Sequence, residues 1–134
     1  SGVRYYNDSK GTNPDAAIQA IRAMPGPTVL IAGGYDKHSE YDEWIEAFGD
    51  KVKYLVLIGQ TREKIEETAH KCGFMNTILA DNLEEAVKIC AEKANKGDAV
   101  LLSPACASWG QFDNYEQRGR MFKEYVYALP EADA

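Results

Sequence analysis

Short, almost uniformly apolar runs alternate with longer amphipathic stretches along this chain, and that alternation restricts the fold more than any other feature. The runs Val3 to Tyr6, Thr28 to Ala32, Val52 to Ile58, Thr77 to Leu79 and Ala99 to Leu102 are brief and rich in β-branched or aromatic residues. That is the pattern of strands buried on both faces. Between them, residues 13–24, 40–48, 61–72, 82–94 and 114–129 place apolar side chains at helical spacing, as in Ala17, Ile18, Ile21 and Met24 or Tyr41, Trp44, Ile45 and Phe48. Pro14 suits a first helical position, Thr61 and Asn82 suit N-caps, and Pro25-Gly26-Pro27 stops the first helix. The order predicts an α/β fold: one doubly wound, mostly parallel sheet with helices on both faces.

At 134 residues the chain is long enough for a single domain with its own core, and 45% hydrophobic with 27% charged residues excludes disorder as the main state. A net charge of −6 argues against a general nucleic-acid partner, and no apolar run is long enough for a membrane span. Three widely spaced cysteines, Cys72, Cys90 and Cys106, without a CxxC pair, fit a reducing cytoplasm better than a disulfide framework. His38 and His70 share no metal-ligand spacing with cysteines or carboxylates, so no metal site is expected. Ser1-Gly2 reads as a cloning scar, with the domain proper at residues 3–134.

In doubly wound sheets, ligands bind beyond the carboxyl ends of the strands. That rule selects the loops at residues 8–13, 33–39, 59–62 and 103–114. The first, Asn7-Asp8-Ser9-Lys10-Gly11-Thr12-Asn13, gathers a carboxylate, a cation and hydroxyls ahead of a helix, where anions are favoured. Read alone, it is also an ordinary turn capped by Thr12 or Asn13. The second, Gly33-Gly34-Tyr35-Asp36-Lys37-His38-Ser39, lets backbone approach a ligand and adds the point charge of Lys37, or is simply a permissive turn. His38 reads as a surface histidine. The third, Gly59-Gln60-Thr61-Arg62, reads as a plain turn and cap. The fourth crowds small residues and hydroxyls at a strand exit, then aromatics. Its Cys106 reads as a structural thiol, since neither histidine has a reason to partner a nucleophile there. No GxxxxGK[ST] or GxGxxG phosphate loop occurs in the sequence.

NDSKGTN after the first strand, GGYDK after the second and LLSPACASWGQFDNYEQRG after the last together resemble the C-terminal domain of the Mur ligases. The resemblance runs from Val3 to Leu129 and implies a Rossmann-like domain of a three-domain, ATP-dependent amide ligase of peptidoglycan synthesis. Its motifs are most similar to those of the member that joins D-glutamate to UDP-N-acetylmuramoyl-L-alanine. By that resemblance Asp8 contacts the ATP ribose, and Lys10 lies beside the reacting phosphate and carboxylates. Thr12, Lys37 and Ser108 bind the D-glutamate carboxylates, and Tyr115 helps hold the same amino acid. The phosphate loop and the Mg2+ ligands are implied mainly for the central domain. Tyr35 stands where some members place an aspartate, with Asp36 next along. Alternatives are a stand-alone domain that binds a small anion without catalysis, or the equivalent domain of a sister Mur or polyglutamate ligase.

Overall fold

A computed structural model describes residues 2–130. Ser1 of the expected cloning scar and residues 131–134 of the expected domain lie outside them. The elements are β1 (Arg4–Asn7), α1 (Pro14–Ala23), β2 (Thr28–Ala32), α2 (Asp42–Glu46), β3 (Val52–Leu57), α3 (Arg62–Lys71), β4 (Thr77–Leu79), α4 (Leu83–Lys93), β5 (Ala99–Leu102) and α5 (Tyr115–Tyr127). Five strands form one sheet in the order β1-β5-β2-β3-β4, and every pairing is parallel. Among the described residues, no helix is long and apolar enough to cross a membrane.

Apolar residues along the central strands point to one or the other of two apolar layers, the consequence of a side-chain period of two. Leu30, Ala32, Leu55, Leu57 and Leu101 pack with Ala17, Ile18 and Ile21 of α1, Trp44 and Ile45 of α2, and Ile65 and Ala69 of α3. Val29, Ile31, Val56, Val100 and Leu102 face Leu83, Ala86, Val87 and Cys90 of α4 and Phe122 of α5. All five residues of β2 and all four of β5 are buried, which explains why these central strands read as unbroken apolar runs.

Three expectations need adjusting. β1 begins and ends one residue later than its apolar run, because Asn7 still pairs in register with Leu102. α2 is only five residues long, although Tyr41, Trp44, Ile45 and Phe48 are all buried as its pattern requires. The helix ends at Glu46, and the turn that follows passes through Gly49, whose φ of 51° directs the chain toward β3. Thr61 precedes α3 but its hydroxyl makes no capping bond to that helix; it accepts instead from the Gly34 amide at 3.0 Å. By contrast Asn13, Asn82 and Asn114 cap α1, α4 and α5 through their side chains.

Candidate functional site

The strand order places β5, the last strand in sequence, between β1 and β2. The chain leaves β1 and β2 for helices on one face of the sheet and leaves β5 for α5 on the other. Loops therefore diverge on both sides of β5, and its carboxyl end is the topological switch point where crevices open in such folds.

On the β1 side, the Asp8 amide donates to the Leu102 carbonyl at 2.7 Å, continuing the ladder past the last paired residues. Asp8 is half-buried, and its Oδ2 accepts from the hydroxyl of fully buried Ser103 at 2.8 Å. The loop then folds on itself through the Gly11 amide to the Asp8 carbonyl, 2.8 Å, and is tied to the β5 loop by the Ala105 amide to the Gly11 carbonyl, 2.9 Å. A Cβ at Gly11 would lie 2.5 Å from Asp8 Oδ2 and 3.0 Å from Ser103 Oγ. Only a bare backbone passes this carboxylate. Ala105 holds a φ of 59°, a left-handed backbone that costs a non-glycine residue about 1 kcal/mol or more and tends to be kept at working sites.

On the β2 side, the Gly33 amide donates to the Pro104 carbonyl at 2.9 Å and the Tyr35 amide to the Ala107 carbonyl at 3.0 Å. Gly33 has a φ of 104°, and a Cβ there would meet the Ile58 carbonyl oxygen at 2.1 Å. This explains the paired glycines: the strand exits of β2, β3 and β5 touch backbone to backbone. Asp36 is pinned by its amide to Gln60 Oε1, 2.8 Å, and its carboxylate accepts from the His38 amide, 2.7 Å, and from Lys64, 3.2 Å. The bond from the His38 amide, with the Lys64 ammonium beside it, holds the Asp36 carboxyl below its usual range.

The residues singled out by sequence fall as follows. Asp8, Lys10 and Thr12 share the loop after β1, with Lys10 exposed and Thr12 half-buried. Lys37 stands exposed beyond β2, its ammonium 5.8 Å from the centroid of the Trp109 ring, which in turn packs edge-on against Tyr35. Ser108 is buried in the β5 loop, and its carbonyl accepts the Phe112 amide at 3.0 Å. Tyr115 is half-buried at the first turn of α5, and its carbonyl already accepts the Ser9 hydroxyl at 2.7 Å. The backbone ties described above gather the loops carrying all six around the end of β5.

Cys106 is buried, with its sulfur 3.2 Å from the Tyr41 hydroxyl and 3.5 Å from Thr61 Oγ1. Burial pushes its thiol pKa up, the reverse of an activated nucleophile. The sequence reading missed Arg118. It is 1% exposed and donates to Ser9 Oγ at 2.9 Å, the Ser9 carbonyl at 2.7 Å and the Cys106 carbonyl at 3.0 Å. Burial lowers its pKa to about 10, which leaves it charged at neutral pH. The available signal was its spacing: Arg118 lies four residues before Phe122, on the inward face of α5.

The model of the family described as "Mur ligase, glutamate ligase domain" matches residues 1–106. A UDP-N-acetylmuramoylalanine--D-glutamate ligase of Lachnoclostridium phytofermentans is 66% identical over 128 residues, 96% of this chain and 28% of that protein. The chain thus spans under a third of the length of such curated relatives. Among solved structures, a domain of a proposed UDP-N-acetylmuramate:L-alanyl-gamma-D-glutamyl-meso-diaminopimelate ligase from Haemophilus ducreyi superposes with a TM-score of 0.62 at 18% identity, covering 96% of this chain and 93% of that one. The MurF ligase of Thermotoga maritima, solved in complex with ADP, superposes at 0.51 with 22% identity, covering 94% of this chain and 28% of that one. These last two share the fold. The family match over residues 1–106 and the close relative, laid over a sheet whose loops converge at a single switch point, place the chain in the Mur ligase family, as its glutamate ligase domain.

Proposed function

We propose that this chain is the domain that contacts D-glutamate and part of the nucleotide in an ATP-dependent ligase joining D-glutamate to UDP-N-acetylmuramoyl-L-alanine. The observation that carries the reading is the 66% identity, over 96% of the chain, to a relative of that name. The loops around β5 supply a physical means. D-Glutamate is a dianion whose amine must be unprotonated to attack. The ammonium groups of Lys10 and Lys37 rise from separate loops, and with the hydroxyls of Thr12 and Ser108 they match two carboxylates. This is catalysis by positioning, in which binding energy fixes the nucleophile before reaction. Tyr115, at the start of α5, borders the same crevice.

The loop around Asp8 fits a nucleotide edge: a half-exposed carboxylate held in place by Ser103, beside a glycine that keeps the approach open. In this reading Asp8 accepts from a ribose hydroxyl, and Lys10 lies toward the phosphates. ATP, when bound, supplies the phosphoryl group that activates the acceptor carboxylate. Mg2+ is assigned mainly to the remainder of the ligase, as is the phosphate loop, since no such motif occurs in this sequence.

The test is ADP release by the full-length ligase with ATP, Mg2+, UDP-N-acetylmuramoyl-L-alanine and candidate amino acids. Turnover that requires D-glutamate is expected. Turnover with another amino acid in its place would overturn the reading. The isolated chain, given the same substrates, is expected to stay silent.

A further inference from the structure

We infer that Arg118 is a positioning residue that locks the β1 and β5 loops into one unit, so that the nucleotide and amino-acid ends of the site are set together. The locking is argued from geometry; its kinetic consequence rests on the ligase reading above. Two of the Arg118 donors grip Ser9, at its hydroxyl and its carbonyl, and the third crosses to the Cys106 carbonyl. Ser9 sits between Asp8 and Lys10, and Cys106 lies two residues before Ser108. The Ser9 hydroxyl accepts from Arg118 and donates a hydrogen bond to the Tyr115 carbonyl, which draws the first turn of α5 into the same network. Asn7 adds a bond to the Gly119 carbonyl at 3.0 Å, and a Cβ on Gly119 would crowd Asn7 and Ser9 at 3.2 Å. Helix, first loop and last loop thus meet at one guanidinium.

The choice of residue is informative. Among the described residues no carboxylate lies within salt-bridge distance of Arg118, so its charge is met by hydroxyl and carbonyl dipoles. An apolar side chain of similar volume would pack α5 without the desolvation cost of a buried charge. What it would lack is the planar fork that reaches acceptors on two loops at once, and a lysine, with one nitrogen, lacks it too.

The experiment compares Arg118→Lys with the parent full-length ligase, using kinetics and amide hydrogen exchange. In the folded variant the KM values for ATP and for D-glutamate should rise together, each about tenfold or more, because both loops lose one anchor. The amides of Asp8, Gly11 and Ala105, which make the inter-loop and loop bonds, should exchange faster together while those of β3 do not change. Should Arg118→Lys fail to fold, Ser9→Ala leaves the guanidinium in place and should shift both KM values in the same direction by less. Unchanged KM values in a folded variant, or a change confined to one loop, would overturn the inference. If the parent enzyme shows no D-glutamate-dependent turnover, the ligase reading falls by itself, and joint or separate loosening of the two loops still decides the locking.

Discussion

The two sides of β5 are built differently. Toward β1, side-chain hydrogen bonds reinforce the backbone ties: Ser103 to Asp8, and Arg118 to Ser9 with Cys106. Toward β2, the two exit loops are tied by backbone hydrogen bonds, Gly33 donating to Pro104 and Tyr35 to Ala107, and side chains add only the Tyr35–Trp109 ring contact and the buried Cys106 sulfur against Tyr41 and Thr61. The first arrangement fixes functional groups by bonding directly to them or their neighbours. The second fixes only the path of the chain and leaves Lys37, Tyr35 and Trp109 exposed on its outer lip. A wall fixed by buried side-chain bonds thus faces one that carries its charged group, Lys37, on an exposed side chain.

The largest effect should come from breaking the backbone side. Gly33→Ala forces a Cβ onto the Ile58 carbonyl in a left-handed backbone, and a loss of more than about 4 kcal/mol is expected, read as the shift in urea midpoint or as failure to fold. A loss under about 1 kcal/mol would show that the contact can relax. Next, Lys37→Ala should leave the melting temperature unchanged, since its side chain is exposed, while raising the KM for D-glutamate by the equivalent of about 1.5–3 kcal/mol. An unaltered KM would remove Lys37 from the substrate.

Cys106 spans both sides, its carbonyl on Arg118 and its sulfur among Tyr41 and Thr61. Cys106→Ala keeps the carbonyl, so ligase activity should survive with a stability loss of about 1 kcal/mol; abolished turnover in a folded variant would revive a chemical role for the thiol. The smallest effect is the pH dependence of Asp36. Its carboxyl is more acidic folded than unfolded, so it stabilises the loop above the unfolded value and loses that contribution as pH falls through the folded one. The stability gap between parent and Asp36→Asn, below about 1 kcal/mol at neutral pH, should close in acid below 3.8, the ordinary aspartate value. A gap independent of pH would refute the electrostatic account.

Much of this architecture was legible in the sequence because burial on both faces writes itself as continuous apolar runs, as in Thr28–Ala32 and Ala99–Leu102. The helices were legible where an Asn cap and a periodic face coincide, as at Asn82 with Leu83, Ala86, Val87 and Cys90. Thr61 misled because a residue before a helix can spend its hydroxyl elsewhere, here on an amide 27 positions away. Arg118 was harder still: its partner Ser9 is 109 positions distant, and charge alone marks an arginine for the surface. The loops that carry the candidate site could be named from strand ends and family resemblance. What binds them to one another depends on tertiary contacts that no local pattern encodes.

The strand order also bears on how the chain is made. β1 pairs only with β5, so during synthesis it has no neighbour in the sheet until nearly the whole domain has emerged. β2, β3 and β4 can assemble earlier, but β2, buried throughout in the finished domain, presents an open edge while β5 is still missing. The late segment around Ala99–Leu102 is therefore the keystone of a vectorial assembly, closing a long-range loop that makes folding slow and the waiting edge prone to self-association. A ribosome paused before it would hold a three-stranded half-sheet without the strand against which both crevice walls close, so the crevice arrives in one late step.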